Sequence, residues 1–348
     1  MFAKRNIQQI KNDALLFSSC INLNDLQTKL SILKNEIILQ GFQKQYYRFT
    51  VRKVNGGERT IESPSDSLKL LQRKLNYYLQ AVYFLNQSSA SYGYIISPKG
   101  KKSNKNIVKN AEQHLSCRYM LNVDFKNFFH QITQEDVAAI FTSPLFKFNK
   151  QTAQSLSKVC AFKKRLPMGA PTSPIISNLF TITLDQQLNN WAQTNSFTYT
   201  RFVDDLTFSS KTKEITPQHF SEIQHIAHAN KLVFNTTKTK FLKVEHPKIV
   251  TGLLLQETVD IHPDFYKNLE EDLIRLKRIF ESSVILKNLE QNTLLKTFKQ
   301  EVFGQINFIR TVEGINSTIY QSYLNKYKQA LTITEEVLSK RWIHFSYH

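Results

Sequence analysis

The sequence predicts an α+β protein, because amphipathic helices and short hairpin strands follow one another along it in mixed order. Apolar residues recur at helical spacing over 24–39, which indicates an amphipathic helix near the N-terminus. In contrast, residues 197–208 show the alternation and β-prone side chains of strands. The chain has 348 residues, enough for two or three domains with a sizeable core.

The composition favours a globular protein that binds a polyanion. Hydrophobic residues make up 41% of the chain, as in folded domains. Lys and Arg number 46 against 28 Asp and Glu, a formal net charge of +18, which favours nucleic acid first and an acidic membrane second. The membrane is the weaker of the two, because no run approaches the ~18 apolar residues that a spanning helix needs.

Cysteine usage and the N-terminal sequence favour a reducing compartment. Cys20, Cys117 and Cys160 are far apart and fit neither a zinc pattern nor a disulfide framework. Residues 1–6 lead into polar sequence and lack the apolar core of a signal peptide. We therefore expect the protein to be cytoplasmic.

The first third of the chain predicts a hairpin, a helix and a basic segment. Residues 47–61 predict the hairpin, whose Asn-Gly-Gly turn suits positive φ. A basic helix is expected over 68–79, and residues 97–109 are expected to be a strongly basic loop that runs into a helix. A strand over 119–123 then leads directly to Asp124.

The remainder predicts a shaped loop, a second hairpin and a helical C-terminal part. Three prolines and a glycine shape the loop over 166–174, and the apolar sequence after it predicts a buried helix. The second hairpin places Asp204-Asp205 at its tip. A helix near 217–230 and a strand over 249–255 follow, and the rest is predicted to be helical.

Adjacent acids at a tight turn repel each other and gain nothing from a hydrophobic core. Asp204-Asp205 is explained if a divalent cation neutralises it, because Mg²⁺ prefers carboxylate oxygens and substrate phosphates. If the strand that ends at Asp124 lies beside this hairpin, the three acids form a cluster suited to two-metal phosphoryl transfer. The other interpretation, that each acid only caps a turn, stays open at this point.

Five motifs in one order resemble those of a known family. Phe202-Val203-Asp204-Asp205 resembles the Tyr-x-Asp-Asp motif of reverse transcriptases, and Leu-Pro-Met-Gly-Ala-Pro-Thr-Ser-Pro at 166–174 is similar to a block of their bacterial members. Asp124 precedes both, as in the palm of these polymerases. Residues 110–114 (Asn-Ala-Glu-Gln-His) and 250–253 (Val-Thr-Gly-Leu) resemble two elements of retron reverse transcriptases. The sequence is thus similar to retron-type bacterial reverse transcriptases, which are RNA-directed DNA polymerases.

The resemblance implies a right-hand polymerase with an antiparallel palm sheet and a helical thumb. Residues 1–118 would form the N-terminal helix and the fingers, including the basic segment. Residues 119–262 would form the palm with interleaved elements of the fingers, and residues 263–348 the thumb.

The resemblance also implies catalytic roles. Asp124, Asp204 and Asp205 would hold two Mg²⁺ ions, and Lys238 would protonate the departing pyrophosphate as a general acid. For Lys238 the other interpretation is an ordinary lysine on a solvated surface.

Four further positions match residues that bind the incoming nucleotide in this family. Arg59 would grip the triphosphate, since its planar fork suits phosphate oxygens. Phe129 would act as the steric gate that excludes a ribose 2′-hydroxyl, unless it is a plain core aromatic. Met168 and Gly169 would lie near the sugar, where the family usually has Gln before the glycine. Met168 cannot donate a hydrogen bond, and Phe202 likewise lacks the hydroxyl of the usual Tyr.

The implied function is synthesis of DNA on a cognate structured noncoding RNA. In retrons an RNA 2′-hydroxyl primes this synthesis and leaves a branched RNA–DNA, and the system serves anti-phage defence with a separate effector protein. The expected partners are that RNA, the RNA–DNA hybrid and dNTPs, with phosphates gripped by the basic C-terminal helices and by lysines at 99, 101, 102, 105 and 109. Two alternatives stay open: another bacterial reverse transcriptase of the defence or group II intron-like classes, and a noncatalytic RNA-binding protein on a polymerase scaffold.

Overall fold

The protein, described by a computed structural model, divides into two compact units, Met1–Thr251 and Gly252–His348. The structure describes residues 4–42, 46–52, 56–101 and 103–339. In these ranges, no helix combines the length and the apolar character that crossing a bilayer requires.

The first unit begins with helices and a two-stranded hairpin. Its N-terminal elements are α1 (Ile7–Ser18), α2 (Leu23–Leu30), α3 (Lys34–Phe42), β1 (Tyr46–Arg52), β2 (Glu58–Pro64), α4 (Asp66–Asn86) and α5 (Ile107–Glu112). The predicted hairpin over 47–61 is confirmed by the antiparallel pairing of β1 with β2. Gly56 and Gly57 turn it with φ of 81° and 79°, which glycine adopts without strain, while Asn55 lies outside the described residues.

The rest of the first unit contains the central sheet and the helices around it. These elements are β3 (Tyr119–Asp124), α6 (Phe128–Gln131), α7 (Gln134–Thr142), α8 (Lys150–Cys160), α9 (Ser173–Phe180), α10 (Ile182–Thr194), β4 (Thr198–Phe202), β5 (Asp205–Ser210), α11 (Pro217–Ala229), β6 (Lys240–Leu242) and β7 (Lys248–Val250). A continuous hydrophobic core runs through this unit from Ile10 to Phe234.

The single helix predicted over 24–39 is wrong, because the chain breaks between α2 and α3. Ser31 has a left-handed φ of 53° and ends α2, with its N–H donating to the carbonyl of Gln27. The apolar periodicity continues across the break, since Leu30 before it and Ile37 after it are both buried. A burial pattern that spans two helices therefore resembled one.

The central sheet is antiparallel with strand order β4-β5-β3-β6, as the α+β prediction requires. Alternate residues of its middle strands fill the core; Leu121, Val123, Leu206 and Phe208 are all buried. The sheet therefore fixes the ends of β3 and β5 against each other.

The hairpin of β4 and β5 has a tighter tip than the sequence suggested. Phe202 pairs with Asp205, so the two-residue turn consists of Val203 and Asp204, and Asp205 begins β5. Val203 has a left-handed φ of 63°, a strained conformation for a β-branched residue. Asp204 and Asp205 are therefore held by different parts of the hairpin.

The continuous strand predicted over 249–255 is also wrong. Thr251 and Gly252 both have positive φ, 50° and 81°, and interrupt the extended backbone. The pieces are β7 in the first unit and β8 (Leu253–Leu255) in the second.

The second unit is mainly helical. Besides β8 it contains β9 (Val259–Ile261), α12 (Pro263–Ile285), α13 (Thr293–Glu313) and α14 (Thr318–Ala330). The predicted apolar stripe of α12 is confirmed, because Leu269, Leu273, Leu276 and Phe280 are buried. The three helices pack against one another, as a helical thumb would.

His114 joins the helical layer to the central sheet. Its ring nitrogens lie 2.7 Å from the Ser209 hydroxyl and 2.7 Å from the Thr200 hydroxyl, on β5 and β4. The ring is almost fully buried, and burial lowers the pKa of His114 from 6.5 to about 3. The folded protein thus holds a neutral imidazole where the unfolded chain would bind a proton.

We predict that this histidine makes the protein acid-sensitive. As pH falls from 6.5 toward 3, the unfolded state takes up the proton first, so the free energy of unfolding falls by up to about 1.4 kcal/mol per pH unit. His114→Gln should lower stability at neutral pH but show a shallower loss between about pH 6.5 and about pH 5. Urea unfolding at both pH values measures this.

The matched control is His228→Gln, because His228 is exposed on α11. It should retain the wild-type pH dependence. Equal pH slopes for wild type and His114→Gln would contradict the assignment.

Candidate active site

Three carboxylates meet where β3 ends and β5 begins. Asp124 is the last residue of β3 and lies directly opposite Asp205, while Asp204 occupies the adjoining turn. The Phe125 N–H donates to the Asp204 carbonyl at 3.2 Å, which ties the turn to the end of β3. One oxygen from each of the three carboxylates lies within 4.8 Å of the others. The predicted cluster is thus formed.

The electrostatics of the cluster are unfavourable for the protein alone. Asp124 is buried, Asp204 is half-buried and Asp205 is exposed toward a cavity. Loss of hydration and, next, the Asp124 charge raise the pKa of Asp204. Loss of hydration and then the two neighbouring carboxylates raise the pKa of Asp205 to about 7. Close, mutually repelling carboxylate oxygens are the donor set that fits a hard divalent cation.

Lys238 also belongs to this site. Its ammonium, carried by a single turn of 3₁₀ helix, donates a hydrogen bond to Oδ2 of Asp124. This bond raises the pKa of Lys238, while its side chain stays more than half exposed. The residue is therefore ion-paired at the cluster rather than solvated alone.

A cavity of about 450 Å³ opens beside the carboxylates, within the size range of ligand pockets. Its lining includes all four positions predicted to bind the nucleotide together with two of the acids: Arg59, Phe129, Met168, Gly169, Asp204 and Asp205. Asp124 and Lys238 join it through the cluster. Tyr94 also lines the cavity and was not anticipated.

The two phenylalanines after Asp124 have different environments. Phe128 is buried and stacks on Phe125 with ring centroids 5.1 Å apart, so it belongs to the core. Phe129 is only half-buried and lines the cavity. The second position is thus the one available to a ligand.

The proline-rich loop is attached to the strand that carries Arg59. The Glu62 N–H donates to the Met168 carbonyl at 2.6 Å. Gly169 has φ of 129°, and a Cβ there would lie 2.9 Å from the Glu62 carbonyl oxygen. Only glycine allows this approach, so the loop and β2 share one wall of the cavity.

Glu62 also strengthens the link between β2 and the proline-rich loop, and sequence analysis missed it. Its buried carboxylate accepts two hydrogen bonds from Arg165, at 2.8 and 3.0 Å. Arg48 and His130 lie 3.7 Å from the same carboxylate. The only sequence signal was a lone acid in a short strand, which did not reveal partners distant in the chain.

Arg201 is the second residue that sequence analysis missed. It is completely buried and forms a bidentate ion pair with Asp185, at 2.8 and 2.7 Å. Its other amino group donates to the Val203 carbonyl at 2.9 Å and to Asn178 at 3.1 Å. The signal was an arginine in a strand next to the acids. This network holds the strained turn that presents Asp204.

The Asn-Ala element and the first two residues of the Val-Thr-Gly element lie together in the first unit. The Thr251 hydroxyl donates to the Ile107 carbonyl at 3.3 Å, which joins the Val-Thr-Gly element to the start of α5. Asn110 and His114, both on the Asn-Ala element, are buried. These two residues therefore support the surface rather than reach a ligand directly.

The basic segment contains two kinds of lysine. Lys105 lies 3.9 Å above the Tyr92 ring and donates to the Ser89 carbonyl, and Lys109 pairs with Glu112. Lys99 and Lys101 are exposed, and Lys102 lies outside the described residues. Of the four lysines of this segment that the structure describes, Lys99 and Lys101 are therefore the ones free to bind phosphates.

Comparison with known proteins gives one family match. The sequence model of the family described as reverse transcriptase (RNA-dependent DNA polymerase) matches residues 51–260. The Retron Ec86 reverse transcriptase of Escherichia coli is 29% identical over 314 residues, covering 88% of this chain and 89% of that protein. The Retron Mx162 reverse transcriptase of Myxococcus xanthus is 30% identical over 236 residues, covering 60% of this chain and 47% of that protein.

A more distant likeness exists among solved structures. A telomerase from Candida albicans, solved with a fragment of telomeric RNA, aligns with a TM-score of 0.43 and 11% identity. The alignment covers 86% of this chain and 63% of that one.

We predict that the buried ion pair under the turn stabilises the folded protein strongly. Asp185→Ala leaves the Arg201 guanidinium buried without its counter-charge, which should lower the free energy of unfolding by about 3–5 kcal/mol. Urea unfolding followed by circular dichroism measures this loss.

The control variant is Glu214→Ala, which breaks an exposed pair with Lys243 in the same unit. It should change stability very little, because solvent screens exposed pairs. A small effect for both variants would show that the turn does not depend on Asp185.

Proposed function

The chain belongs to the reverse transcriptase (RNA-dependent DNA polymerase) family and is of the retron type, and we propose that it copies a cognate structured RNA into DNA from an RNA 2′-hydroxyl. The observation that carries the proposal is the cavity that joins Asp204 and Asp205 to the four predicted nucleotide-binding positions. The activity itself, RNA-directed DNA synthesis, follows from the family.

We assign Asp124, Asp204 and Asp205 as ligands of two Mg²⁺ ions. Their proximity and their mutual repulsion support this assignment. Bound cations of this kind activate the attacking hydroxyl and stabilise the leaving pyrophosphate. The carboxylates themselves fix where the α-phosphate of the dNTP and the primer hydroxyl meet.

The other side chains bind and orient the substrate in this proposal. Arg59 forms bidentate hydrogen bonds with triphosphate oxygens. Phe129 lies against the sugar, and Met168 and Gly169 form the wall next to it, with packing in place of the amide contact of the family's usual Gln. Lys238 gives its proton to the departing pyrophosphate, since its ion pair favours the protonated form.

We propose that RNA recognition uses the surface around the two retron-like elements, together with the basic C-terminal helices. The contact of Thr251 with Ile107 and the exposed Lys99 and Lys101 support this placement. The protein would act in the cytoplasm, consistent with three free cysteines. The resemblance to retrons also leads us to propose a role in anti-phage defence, with a separate effector protein.

We predict that Asp204→Asn and Asp205→Asn abolish DNA synthesis. Each removes a charge that the transition state requires, so primer extension on an RNA template with Mg²⁺ should fall at least about 1,000-fold. In cells that carry the native flanking DNA, only the wild-type protein should produce RNA-linked DNA, and only the wild-type protein should protect the cells from phage. Without metal, both variants should unfold at or above the wild-type temperature, because they relieve repulsion.

Glu214→Gln, an exposed acid of the same unit, is the control and should retain full activity. RNA-linked DNA in the Asp205→Asn strain would contradict the metal assignment. Primer extension by the wild type without any RNA-linked DNA would leave the polymerase but refute the 2′-hydroxyl priming.

We predict that Phe129→Ala relaxes sugar selection. Removing the ring leaves room for a ribose 2′-hydroxyl, so the ratio of ribonucleotide to deoxynucleotide incorporation should rise at least about tenfold, equivalent to roughly 1.4 kcal/mol. Single-nucleotide extension with dNTP and rNTP measures the ratio. Phe129→Tyr keeps the ring and should keep the selectivity. An unchanged ratio in Phe129→Ala would refute the gate.

A further inference from the structure

Tyr94 occupies a place in the nucleotide cavity for which the assigned roles do not account. Its side chain is 52% exposed, and it lines the cavity with Arg59 and Asp204. It lies in the segment between α4 and α5, far in sequence from the other residues of the site.

The backbone at Tyr94 is strained. Its φ of 55° is left-handed, a backbone conformation that is energetically unfavourable for residues with a Cβ atom but not for glycine. Strained residues persist only where the surrounding structure holds them, and they cluster at functional sites. The structure around Tyr94 must therefore hold it in this conformation.

The two residues before Tyr94 pack closely against the turn between β4 and β5 that carries Asp204. A Cβ at Gly93 would lie 2.8 Å from the Val203 side chain and 3.0 Å from its nitrogen. The Gly93 carbonyl accepts a hydrogen bond from Asn178 at 2.9 Å, and the Tyr92 N–H donates to the Arg201 carbonyl at 2.9 Å. The same network that fixes Asp204 thus fixes the direction of Tyr94.

The phenol lies in the field of both functional charges of the cavity. Loss of hydration raises the pKa of Tyr94 above its ordinary value, the Asp204 charge raises it further, and the Arg59 charge lowers it. The hydroxyl therefore keeps its proton at neutral pH and can donate it. Among the described residues, no protein group hydrogen-bonds this hydroxyl.

We propose that Tyr94 is a substrate-binding residue whose hydroxyl donates a hydrogen bond to the triphosphate of the incoming dNTP. The hydroxyl shares the cavity with the cationic Arg59, which we assign to the same triphosphate, and with Asp204 of the carboxylate cluster. Phosphate oxygens accept such bonds strongly because they are charged. This inference rests on the proposed function of the cavity.

The test is the steady-state kinetics of Tyr94→Phe, which removes one oxygen and leaves the ring. A hydrogen bond made equally in the bound and transition states changes KM alone, so we expect KM for dNTP to rise about tenfold with kcat nearly unchanged. The thermal unfolding temperature should stay at the wild-type value. Tyr47→Phe is the matched control, since that phenol is exposed on β1 outside the cavity.

A second pair of variants separates substrate binding from folding. Tyr94→Gly removes the whole side chain and relieves the left-handed strain, so KM should rise at least as much while the unfolding temperature does not fall. Lys147→Gly relieves a similar φ of 59° at an exposed residue outside the cavity and should leave KM unchanged. A structural role for Tyr94 would instead lower the unfolding temperature in Tyr94→Gly.

The outcomes distinguish this inference from the proposed function. If the wild-type protein extends no primer, the proposed function fails. If the wild type is active and Tyr94→Phe shows the same KM, the inference about Tyr94 alone is overturned. A KM increase that comes with a comparable loss of thermal stability in both Tyr94 variants would overturn it as well.

Discussion

The geometry of the catalytic centre depends on one buried ion pair. Arg201 and Asp185 are both wholly excluded from solvent, and each would be very costly without the other. The same guanidinium also binds the Val203 carbonyl, so the pair and the strained turn form one unit. The Tyr199 hydroxyl completes the network by donating to Asp185 at 2.8 Å. A polar network of this kind specifies a single arrangement, which an apolar core could not do as strictly.

A second buried charge plays a corresponding role on the other wall of the cavity. Glu62 binds Arg165 through its side chain and Met168 through its backbone, so β2 cannot shift relative to the proline-rich loop. Arg59 lies three residues before Glu62 on the same strand, so the same contacts fix its position. The two networks share no residue, and each fixes a different part of the cavity: one the turn that carries Asp204, the other the strand and loop that carry Arg59, Met168 and Gly169. Precision at the cavity is thus obtained from buried charges rather than from the hydrophobic core alone.

The sequence predicted those parts of the site that are encoded locally. The alternation around Asp204 and Asp205 and the strand before Asp124 are short-range patterns, and the motifs supplied their order. The break at Ser31 was not predictable, because Leu30 before it and Ile37 after it are both buried and continue the helical periodicity. Glu62 and Arg201 were missed because their partners are distant in sequence, and only the folded chain shows that they are buried. Tyr94 was missed because its role depends on a backbone conformation that its sequence does not signal.

The carboxylate cluster shows why stability and function oppose each other here. Loss of hydration and the neighbouring carboxylates raise the pKa of Asp204 and of Asp205, so these two acids destabilise the folded chain alone at neutral pH. Lys238 offsets part of this repulsion through Asp124, but its exposed ammonium can leave the carboxylate when a cation arrives. A permanently buried partner in its place would neutralise Asp124 and weaken cation binding. The exposed lysine therefore reduces the repulsion between the carboxylates in the absence of cations without blocking the binding of divalent cations. The rigidity of the site comes from the two buried networks around Arg201 and Glu62.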